Sequence, residues 1–329
     1  MRIYRSIYSL ILVAIFFSTP IFGHHGFASI FDMDTALTFQ GTVSRYDWRN
    51  PHVYIYVETN TTGETVEWQL EGDPTPIMMR SGWTPTILSP GDLVTIRAHP
   101  DRNTQRNHGL LTSLTKEDGV FLTPRSGSRT SNARATSFEG VWDGLPGFNT
   151  RTFVYGALTD KGTAAQAAYT EADNPTSDCI PFPTPTIVAA PYLNQIEILD
   201  DRIIVKTEVF QVERTFYTDG RDHPENGERT NQGHSIAHWE GDILIVDTTL
   251  FSDNRFGNRS GIPSSSQKHS IERFRLSDDK TQLLIDYVIH DPEYMVDPMT
   301  GSMSWSYAPE REPMPFACNP ENARLYELQ

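Results

Sequence analysis

The chain has 329 residues and a formal net charge of −15, from 27 basic and 42 acidic side chains. A charge this negative repels phosphate backbones and anionic lipid surfaces, so the composition excludes nucleic acid as a partner and argues against a peripheral grip on a membrane. The length is enough for two domains, and abundant aromatic residues without long apolar helices favour β structure.

The first apolar run has the form of a secretory leader. Two arginines precede an apolar stretch over 7–22, and Gly23 ends it directly before His24 and His25. A basic start, a short apolar core and a small residue predict a signal peptide over 1–23, and hence a periplasmic or secreted protein without a stable membrane anchor. The run is shorter than the roughly 20 residues of a membrane span, but an uncleaved anchor stays the alternative.

The chain has two cysteines, Cys179 and Cys318. In the oxidising compartment that a signal peptide implies, a single pair most simply forms one disulfide, and free buried thiols are the alternative. The sequence has no CxxC spacing, which argues against zinc-ribbon and thioredoxin-like sites.

Residues 24–123 are predicted to form a small β unit. Alternating and β-branched runs mark its strands, and a proline followed by apolar residues and a glycine marks one short helix. The predicted strands are 37–48, 53–57, 66–70, 93–98 and 110–114, and the predicted helix is 76–80. Three strands, a helix and two strands are the order of a five-stranded OB-like barrel. Such barrels often bind oligonucleotides, but the arginines here form no continuous basic track.

A second and larger β unit is predicted over 138–329, after a linker over 124–137 that is rich in Arg, Ser, Thr, Gly and Asn. Strand-like segments joined by tight polar turns predict an antiparallel meander that closes into a barrel and so removes its edges. The predicted segments are 195–199, 203–205, 212–217, 235–239, 243–248, 270–276 and 282–289. A helix candidate over 161–171 and a proline-rich stretch over 179–191 interrupt the meander early.

The second unit opens with Gly140-Val141-Trp142. This tripeptide resembles the Gly-x-Trp opening of lipocalin-like barrels, and the resemblance implies an eight-stranded barrel that holds an apolar ligand. The stretch 233–242 is also similar to an uncharacterised domain of exported bacterial proteins. The expected fold class is therefore mainly β, with an OB-like barrel followed by a larger, lipocalin-like meander barrel.

The first unit contains a series of short sequence motifs at characteristic spacings. Residues 24–28 read His-His-Gly-Phe-Ala, and a Phe-Asp pair follows at 31–32. The order continues through 41–43, 48–52, 68–72, 82–83 and 90–92. It resembles an exported bacterial domain family of unknown function, whose members begin the mature chain with His-His-Ser-Phe-Ala. The resemblance implies export and the bounds of the first unit, and brings no established activity.

His24, His25 and His52 are the candidate metal ligands. Cleavage directly before His24 leaves a free amine, and an amine with an imidazole chelates Cu(II) in a tetragonal plane that takes a third nitrogen from elsewhere in the fold. His52 lies between the first two predicted strands and is the expected third nitrogen, so copper is the cofactor that the pattern suggests. The alternative is a solvated terminus with His52 capping a turn. His99 and His108 are expected at the surface.

Polar and titratable residues of the second unit are the candidates for a ligand site. They are Arg214, Tyr217, His234, His238, His269 and Glu272. His234 and His238 share a strand face, although four residues of strand separate their side chains by about 13 Å. A site of two histidines and a carboxylate is conceivable with His269 and Glu272. Buried hydrogen bonding and an ion-paired hairpin end are the structural alternatives.

Three functions are compatible with these patterns. The leading hypothesis is an exported protein that binds a small ligand in the second barrel. The alternatives are copper binding by His24 and His25, and a secreted hydrolase or lyase that uses the histidines and carboxylates of the second unit. The sequence contains no phosphate-binding loop, dinucleotide fingerprint or Gly-x-Ser-x-Gly elbow, so it assigns no catalytic residue. It defines neither the ligand nor the oligomeric state, and does not decide whether the protein is an enzyme.

Overall fold

A computed structural model describes residues 30–61, 63–125 and 131–324. The predicted signal peptide and the histidines His24 and His25 lie outside the described residues, as does part of the predicted linker, 126–130. Among the residues that the structure describes, no helix is long and apolar enough to cross a membrane.

The first unit is a closed barrel of five strands with a short sixth strand at its side. Its strands are β1 (Leu37–Asp47), β2 (Tyr54–Thr61), β3 (Glu64–Glu71), β4 (Leu93–Pro100), β5 (His108–Lys116) and β6 (Phe121–Leu122), and helix α1 (Thr75–Met79) lies between β3 and β4. The sheet order is β3-β2-β1-β4-β5-β6, and a parallel pairing of β3 with β5 closes the barrel. The predicted OB-like order of three strands, a helix and two strands is confirmed.

The core of the first barrel follows from strand alternation. Inward residues such as Val43, Ile55 and Ile96 are buried, while their neighbours along each strand are more exposed. β1 passes so close to β2 that a Cβ on Gly41 would lie 2.4 Å from the Glu58 carbonyl oxygen, which only glycine permits. Slightly later in β1, the β1–β2 register shifts between Val43 and Arg45, as at a β-bulge.

The second unit is a closed barrel of nine strands. They are β7 (Gly140–Asp143), β8 (Leu193–Ile198), β9 (Arg202–Thr207), β10 (Val212–Tyr217), β11 (His234–Glu240), β12 (Ile243–Thr249), β13 (His269–Leu276), β14 (Gln282–His290) and β15 (Met299–Tyr307). Helix α2 (Asp160–Ala168) lies between β7 and β8, and α3 (Pro320–Ala323) follows β15. Neighbouring strands are antiparallel except β10 and β11, which pair in parallel. The barrel has nine strands where the resemblance implied eight, because β15 is not among the predicted segments. An odd number of consecutive strands can close only with a parallel pair, which here is β10 and β11.

Large side chains fill the interior of the second barrel. Trp142, Phe216, Phe274 and Trp305 are each at most 2% exposed and belong to one apolar core. A buried ion pair crosses this interior: the Arg214 guanidinium donates two hydrogen bonds to the Glu272 carboxylate, one of 3.1 Å. The core therefore packs as a solid interior with one charge pair embedded in it.

The segment after β15 returns to the first barrel and fastens the two units together. The predicted disulfide is present between Cys179 and Cys318, across a sequence separation of 139. Beyond it, the Asn319 amide donates to the Asn50 carbonyl oxygen at 3.0 Å, and the Asn322 side chain donates to the His52 carbonyl oxygen at 2.6 Å.

A buried charge pair joins the units at a second place. Arg80, which follows α1, donates two hydrogen bonds to Glu208, one of 2.9 Å from Nη1 to Oε2. Glu208 is 1% exposed and also accepts from the Met314 amide at 2.7 Å. Ile77 of α1 belongs to the apolar core of the second barrel. These contacts place α1 firmly against the second unit.

The Arg214–Glu272 pair predicts an asymmetric response to mutation. We expect Glu272→Leu or Arg214→Met alone to lower the free energy of unfolding by about 3–5 kcal/mol, because each leaves a buried charge without its partner. The double variant should lose much less. Urea unfolding followed by tryptophan fluorescence measures this, with Arg273→Met on the exposed face of β13 as the control. Additive losses in the double variant would contradict the expectation.

Candidate functional site

A cavity of about 460 Å³ lies between the two units, beside one end of the second barrel. Its lining comes from 51–52 and 73–77 of the first unit and from 148–151, 174–192, 209–210 and 256–259 of the second, completed by Ile30, Arg125, Phe316 and Ala323. Tyr287 of β14 links the barrel to this cavity. Its hydroxyl donates a 2.7 Å hydrogen bond to the carbonyl oxygen of Thr152, which directly follows the lining residue Arg151. The site is therefore built mainly from loops that cap a barrel.

Apolar side chains form much of the cavity wall, and six of the lining residues are Phe or Tyr. The ring centroids of Phe182 and Phe256 lie 5.5 Å apart, and Phe316 contacts both Tyr192 and Phe210, at 5.8 and 5.0 Å. The proline-rich stretch that follows Cys179 supplies part of this wall, because prolines keep it from pairing as a strand and leave it free to cover the barrel end. The volume and the walls suit a small organic molecule.

Three arginines converge on this apolar space: Arg125, Arg151 and Arg259. Arg125 is neutralised by Asp73, the one acidic residue among the described lining residues, with a 3.0 Å bond from Nε to Oδ2. For Arg151 and Arg259, no carboxylate lies within ion-pair distance in the described part of the chain. The cavity therefore carries a net positive charge within a strongly acidic protein.

Arg151 is held in place by stacking rather than by an anion. Its guanidinium carbon lies 3.3 Å from the centroid of the Phe148 ring, and its Nε is buried without a hydrogen-bond partner. Burial, together with the positive charges of Arg259 and Arg125, lowers the pKa of Arg151 to about 10. An anion bound here would satisfy the Nε–H and offset this unfavourable charge.

Arg259 is positioned by a strained backbone. Its φ is 64°, in the left-handed region that is rare for a side chain of this size. The preceding Asn258 is fully buried and donates to the Asp291 carboxylate at 2.8 Å and to the Pro263 carbonyl oxygen at 2.7 Å. These bonds hold the turn, and the guanidinium stacks 4.1 Å from the Phe153 ring centroid. Strain of this kind costs about 1–3 kcal/mol and is concentrated at functional sites.

The six ligand-site candidates from the sequence do not form one site. Arg214 and Glu272 are paired with each other inside the barrel, where they are 4% and 1% exposed. His238 lies on the exposed outer surface beside Glu240. The remaining three, Tyr217, His234 and His269, lie on the outer face near one another. None of the six lines the cavity.

The outer face of the second barrel carries a hydrogen-bonded chain of four side chains. His269 Nε2 lies 2.9 Å from Asp247 Oδ1, which lies 3.1 Å from His223 Nε2. His223 Nδ1 lies 2.9 Å from His234 Nδ1, and the His234 ring stacks on Tyr217 at 5.2 Å. Strand alternation explains this, because His234, Asp247 and His269 all point outward from adjacent strands.

The sequence missed the arginines of the cavity because they lie in loops without periodicity. Arg259 lies between Asn258 and Ser260, and Arg151 lies in a loop after the Gly-x-Trp opening, so neither belongs to a recognisable binding motif. The available signal was chemical: arginines next to aromatic residues in loops of an acidic chain. No rule of spacing would have placed them together.

The candidate metal ligands are only partly described. His24 and His25 lie outside the described residues, and His52 lies at the cavity edge with Nδ1 3.2 Å from the Gly72 carbonyl oxygen. The described residues contain no group of three or more His, Cys, Asp or Glu side chains that could hold a metal ion. His108, which we expected at the surface, is 4% exposed, because the parallel β3–β5 pairing encloses it.

Residues 13–111 match a family described as "Family of unknown function (DUF6152)". No curated protein matches the chain. Among solved structures, the chain is similar to the crystal structure of a mutant of the fluorescent protein UnaG, at 13% identity with a TM-score of 0.25. The match covers 52% of this chain and 96% of that chain, and a likeness of this size carries no functional information.

The outer-face chain predicts a pH-dependent contribution to stability. The hydrogen bond to Asp247 raises the pKa of His269, against the opposing effect of burial. Since the folded pKa lies above the unfolded value, this stabilisation is present at acidic pH and is lost as the pH rises through the folded pKa. We expect His269→Gln to lower the free energy of unfolding by up to about 1 kcal/mol at pH 5.5 and by less at pH 9. Urea unfolding at both pH values tests this, with exposed His238→Gln as the control. An equal loss at both would contradict it.

Proposed function

We propose that this protein is an exported binding protein for a small organic anion with an apolar, aromatic body. The observation that carries the proposal is the cavity in which Arg151 and Arg259 have no anionic partner among the described side chains, while aromatic rings form the walls. A carboxylate or similar group would receive hydrogen bonds from the guanidinium groups, and the body of the ligand would be buried among the rings.

The proposed ligand chemistry follows from the arrangement of charge. A purely apolar ligand would leave the Nε of Arg151 unsatisfied, which costs about 1–3 kcal/mol. A cationic ligand would meet two uncompensated guanidinium groups. Planar guanidinium groups match carboxylates with paired hydrogen bonds, so an aromatic or otherwise apolar carboxylate suits the cavity best. The proposal keeps the leading hypothesis from the sequence, that the protein binds a small ligand. It moves the binding site from the interior of the second barrel to the cavity between the units.

Export is part of the proposal. The disulfide between Cys179 and Cys318 supports it, because disulfides persist mainly in oxidising compartments. The basic residues and apolar run of residues 1–23 predict a signal peptide that would direct export. An extracytoplasmic binding protein for organic anions would meet its ligand outside the cell.

A hydrolase or lyase is the second candidate function. The chain of His269, Asp247, His223 and His234 favours it, because hydrogen-bonded imidazoles and a carboxylate can move a proton. The chain lies on the outer face of the barrel, however, and does not line the cavity. We rank it second for that reason.

Binding should depend on the charge of the ligand and on the two unpaired arginines. We expect 2-naphthoate to bind and the matched neutral amide, 2-naphthamide, to bind at least about tenfold more weakly. Arg151→Met and Arg259→Met should each weaken 2-naphthoate binding about ten- to hundredfold, whereas Arg273→Met on the outer face should not. Isothermal titration calorimetry measures all of these affinities. Equal affinity for acid and amide, or unchanged affinity in both cavity variants, would exclude the proposal.

Arg151 should lower the free energy of unfolding of the ligand-free protein. The pKa of Arg151 is lowered on folding, so its charged form is disfavoured in the folded state. Methionine keeps an apolar side chain against Phe148 and removes the charge. We expect Arg151→Met to raise the free energy of unfolding of the ligand-free protein by about 0.5–2 kcal/mol while it weakens binding. Urea unfolding without ligand checks this, and a loss of stability would show instead that Arg151 is mainly a packing residue.

A further inference from the structure

One carboxylate lies among the arginines and apolar side chains of the cavity. Asp73 lies just after β3, is 9% exposed, and is the only acidic side chain among the described lining residues. It accepts two hydrogen bonds from Arg125, of 3.0 Å from Nε to Oδ2 and of 2.5 Å from Nη2 to Oδ1. A guanidinium group matches a carboxylate best in this paired geometry. The pair therefore withdraws one of the three cavity arginines from ligand binding.

The Asp73–Arg125 pair lies near Arg151. The guanidinium carbon of Arg125 lies 6.0 Å from the centroid of the Phe148 ring, and that of Arg151 lies 3.3 Å from the same centroid. Asp73 is therefore close to the place where a ligand carboxylate would meet Arg151. Because like charges repel strongly where water is scarce, its negative charge disfavours any further anionic group on that ligand.

The charge of Asp73 also acts on another lining residue, Tyr192. Burial, and then the negative charge of Asp73, raise the pKa of the Tyr192 hydroxyl, whereas Arg125 opposes the rise. The Tyr192 ring makes an edge contact with Phe316, at 5.8 Å between centroids. This part of the cavity therefore suits the uncharged, aromatic body of a ligand and disfavours a second carboxylate.

Arg151 and Arg259 can share a single carboxylate. Both line the cavity, and the charge of Arg259 contributes to the lowered pKa of Arg151, so the two guanidinium groups lie near each other. A carboxylate has two oxygens with about four lone pairs, so one such group can accept hydrogen bonds from both arginines. A second carboxylate on the ligand would then be buried among aromatic rings or beside Asp73, without a partner.

We propose that Asp73 is a specificity-determining residue that restricts the cavity to anions with a single carboxylate. Asp73 occupies Arg125 and repels a second negative charge, and so selects aromatic monocarboxylates over the corresponding dicarboxylates. This selectivity rests on the proposed function, because it describes which organic anions enter the same cavity.

Isothermal titration calorimetry of the whole protein with three ligands tests this selectivity. One ligand is 2-naphthoate, and the others are 2,3- and 2,6-naphthalenedicarboxylate, which carry their two carboxylates at neighbouring and at opposite positions. The parent protein should bind 2-naphthoate at least about tenfold more tightly than either dicarboxylate. Asp73→Asn frees Arg125 and removes the opposing charge. It should therefore strengthen the binding of at least one dicarboxylate about ten- to hundredfold, and that of 2-naphthoate by a smaller factor.

A double variant separates the charge of Asp73 from other effects of its substitution. Asp73→Asn combined with Arg125→Gln removes both members of the pair and restores the net charge of the parent cavity, so it should regain the preference for 2-naphthoate. The control Asp219→Asn breaks an exposed Asp–Arg pair outside the cavity and should leave all three affinities unchanged. Circular dichroism shows whether each variant is folded.

Two results would overturn the role of Asp73 and leave the proposed function intact. One is a parent protein that binds a dicarboxylate as tightly as it binds 2-naphthoate. The other is a folded Asp73→Asn variant that binds 2-naphthoate with the same preference over both dicarboxylates as the parent. If none of the three ligands binds the parent protein, the proposed function falls together with this selectivity. Should Asp73→Asn not fold, the comparison of ligands on the parent protein decides, because it needs no substitution.

Discussion

The buried pair of Arg80 and Glu208 is the interaction on which the relation between the two barrels depends. Glu208 is 1% exposed and receives two guanidinium hydrogen bonds together with the Met314 amide. A buried carboxylate is tolerated only when it is paired and hydrogen-bonded in this way. The pair joins the first barrel, the second barrel and the returning C-terminal segment, and Glu208 directly precedes Val209 in the cavity wall.

The position of Arg80 is set in turn by Asn50. The Asn50 side-chain oxygen accepts hydrogen bonds from the amide and hydroxyl of Thr75, at 2.9 and 3.1 Å, and so fixes the start of α1. The Asn50 carbonyl oxygen also receives the amide of Asn319. The Asn-Pro-His stretch over 50–52, which suggested metal chemistry, therefore has a clear structural role. It orients α1 and receives the C-terminal segment, and His52 reaches both the cavity edge and Glu71.

Much of the fold was predictable from the sequence, because half-buried strands alternate with a period of two. The OB-like order and the hairpins from 195 to 289 were recognised in this way, whereas the disulfide was predicted from the single pair of cysteines. The nine-stranded closure was not predicted, because β15 is rich in Ser, Met and Gly and nearly lacks the β-branched residues that marked the other strands. His108 was expected at the surface for a similar reason, since a pairing between strands distant in sequence decides its burial.

The candidate sites were harder to predict because they are defined by missing partners, and a partner is a property of three-dimensional structure. Before folding, Arg214 and Arg151 are both single arginines in an acidic chain. After folding, Arg214 is neutralised by Glu272, whereas Arg151 lies near two further arginines and has no carboxylate partner among the described residues.

Glu208 is the clearest case of a paired buried charge, because it accepts hydrogen bonds from the Arg80 guanidinium and from the Met314 amide. Buried charge that is paired within the chain accounts for the architecture. Buried charge that is unpaired costs free energy in the isolated protein, and a bound ligand of opposite charge offsets that cost. Arg151 and Arg259 line the cavity without a carboxylate partner among the described residues, so the anion that we propose as ligand would supply the opposite charge there.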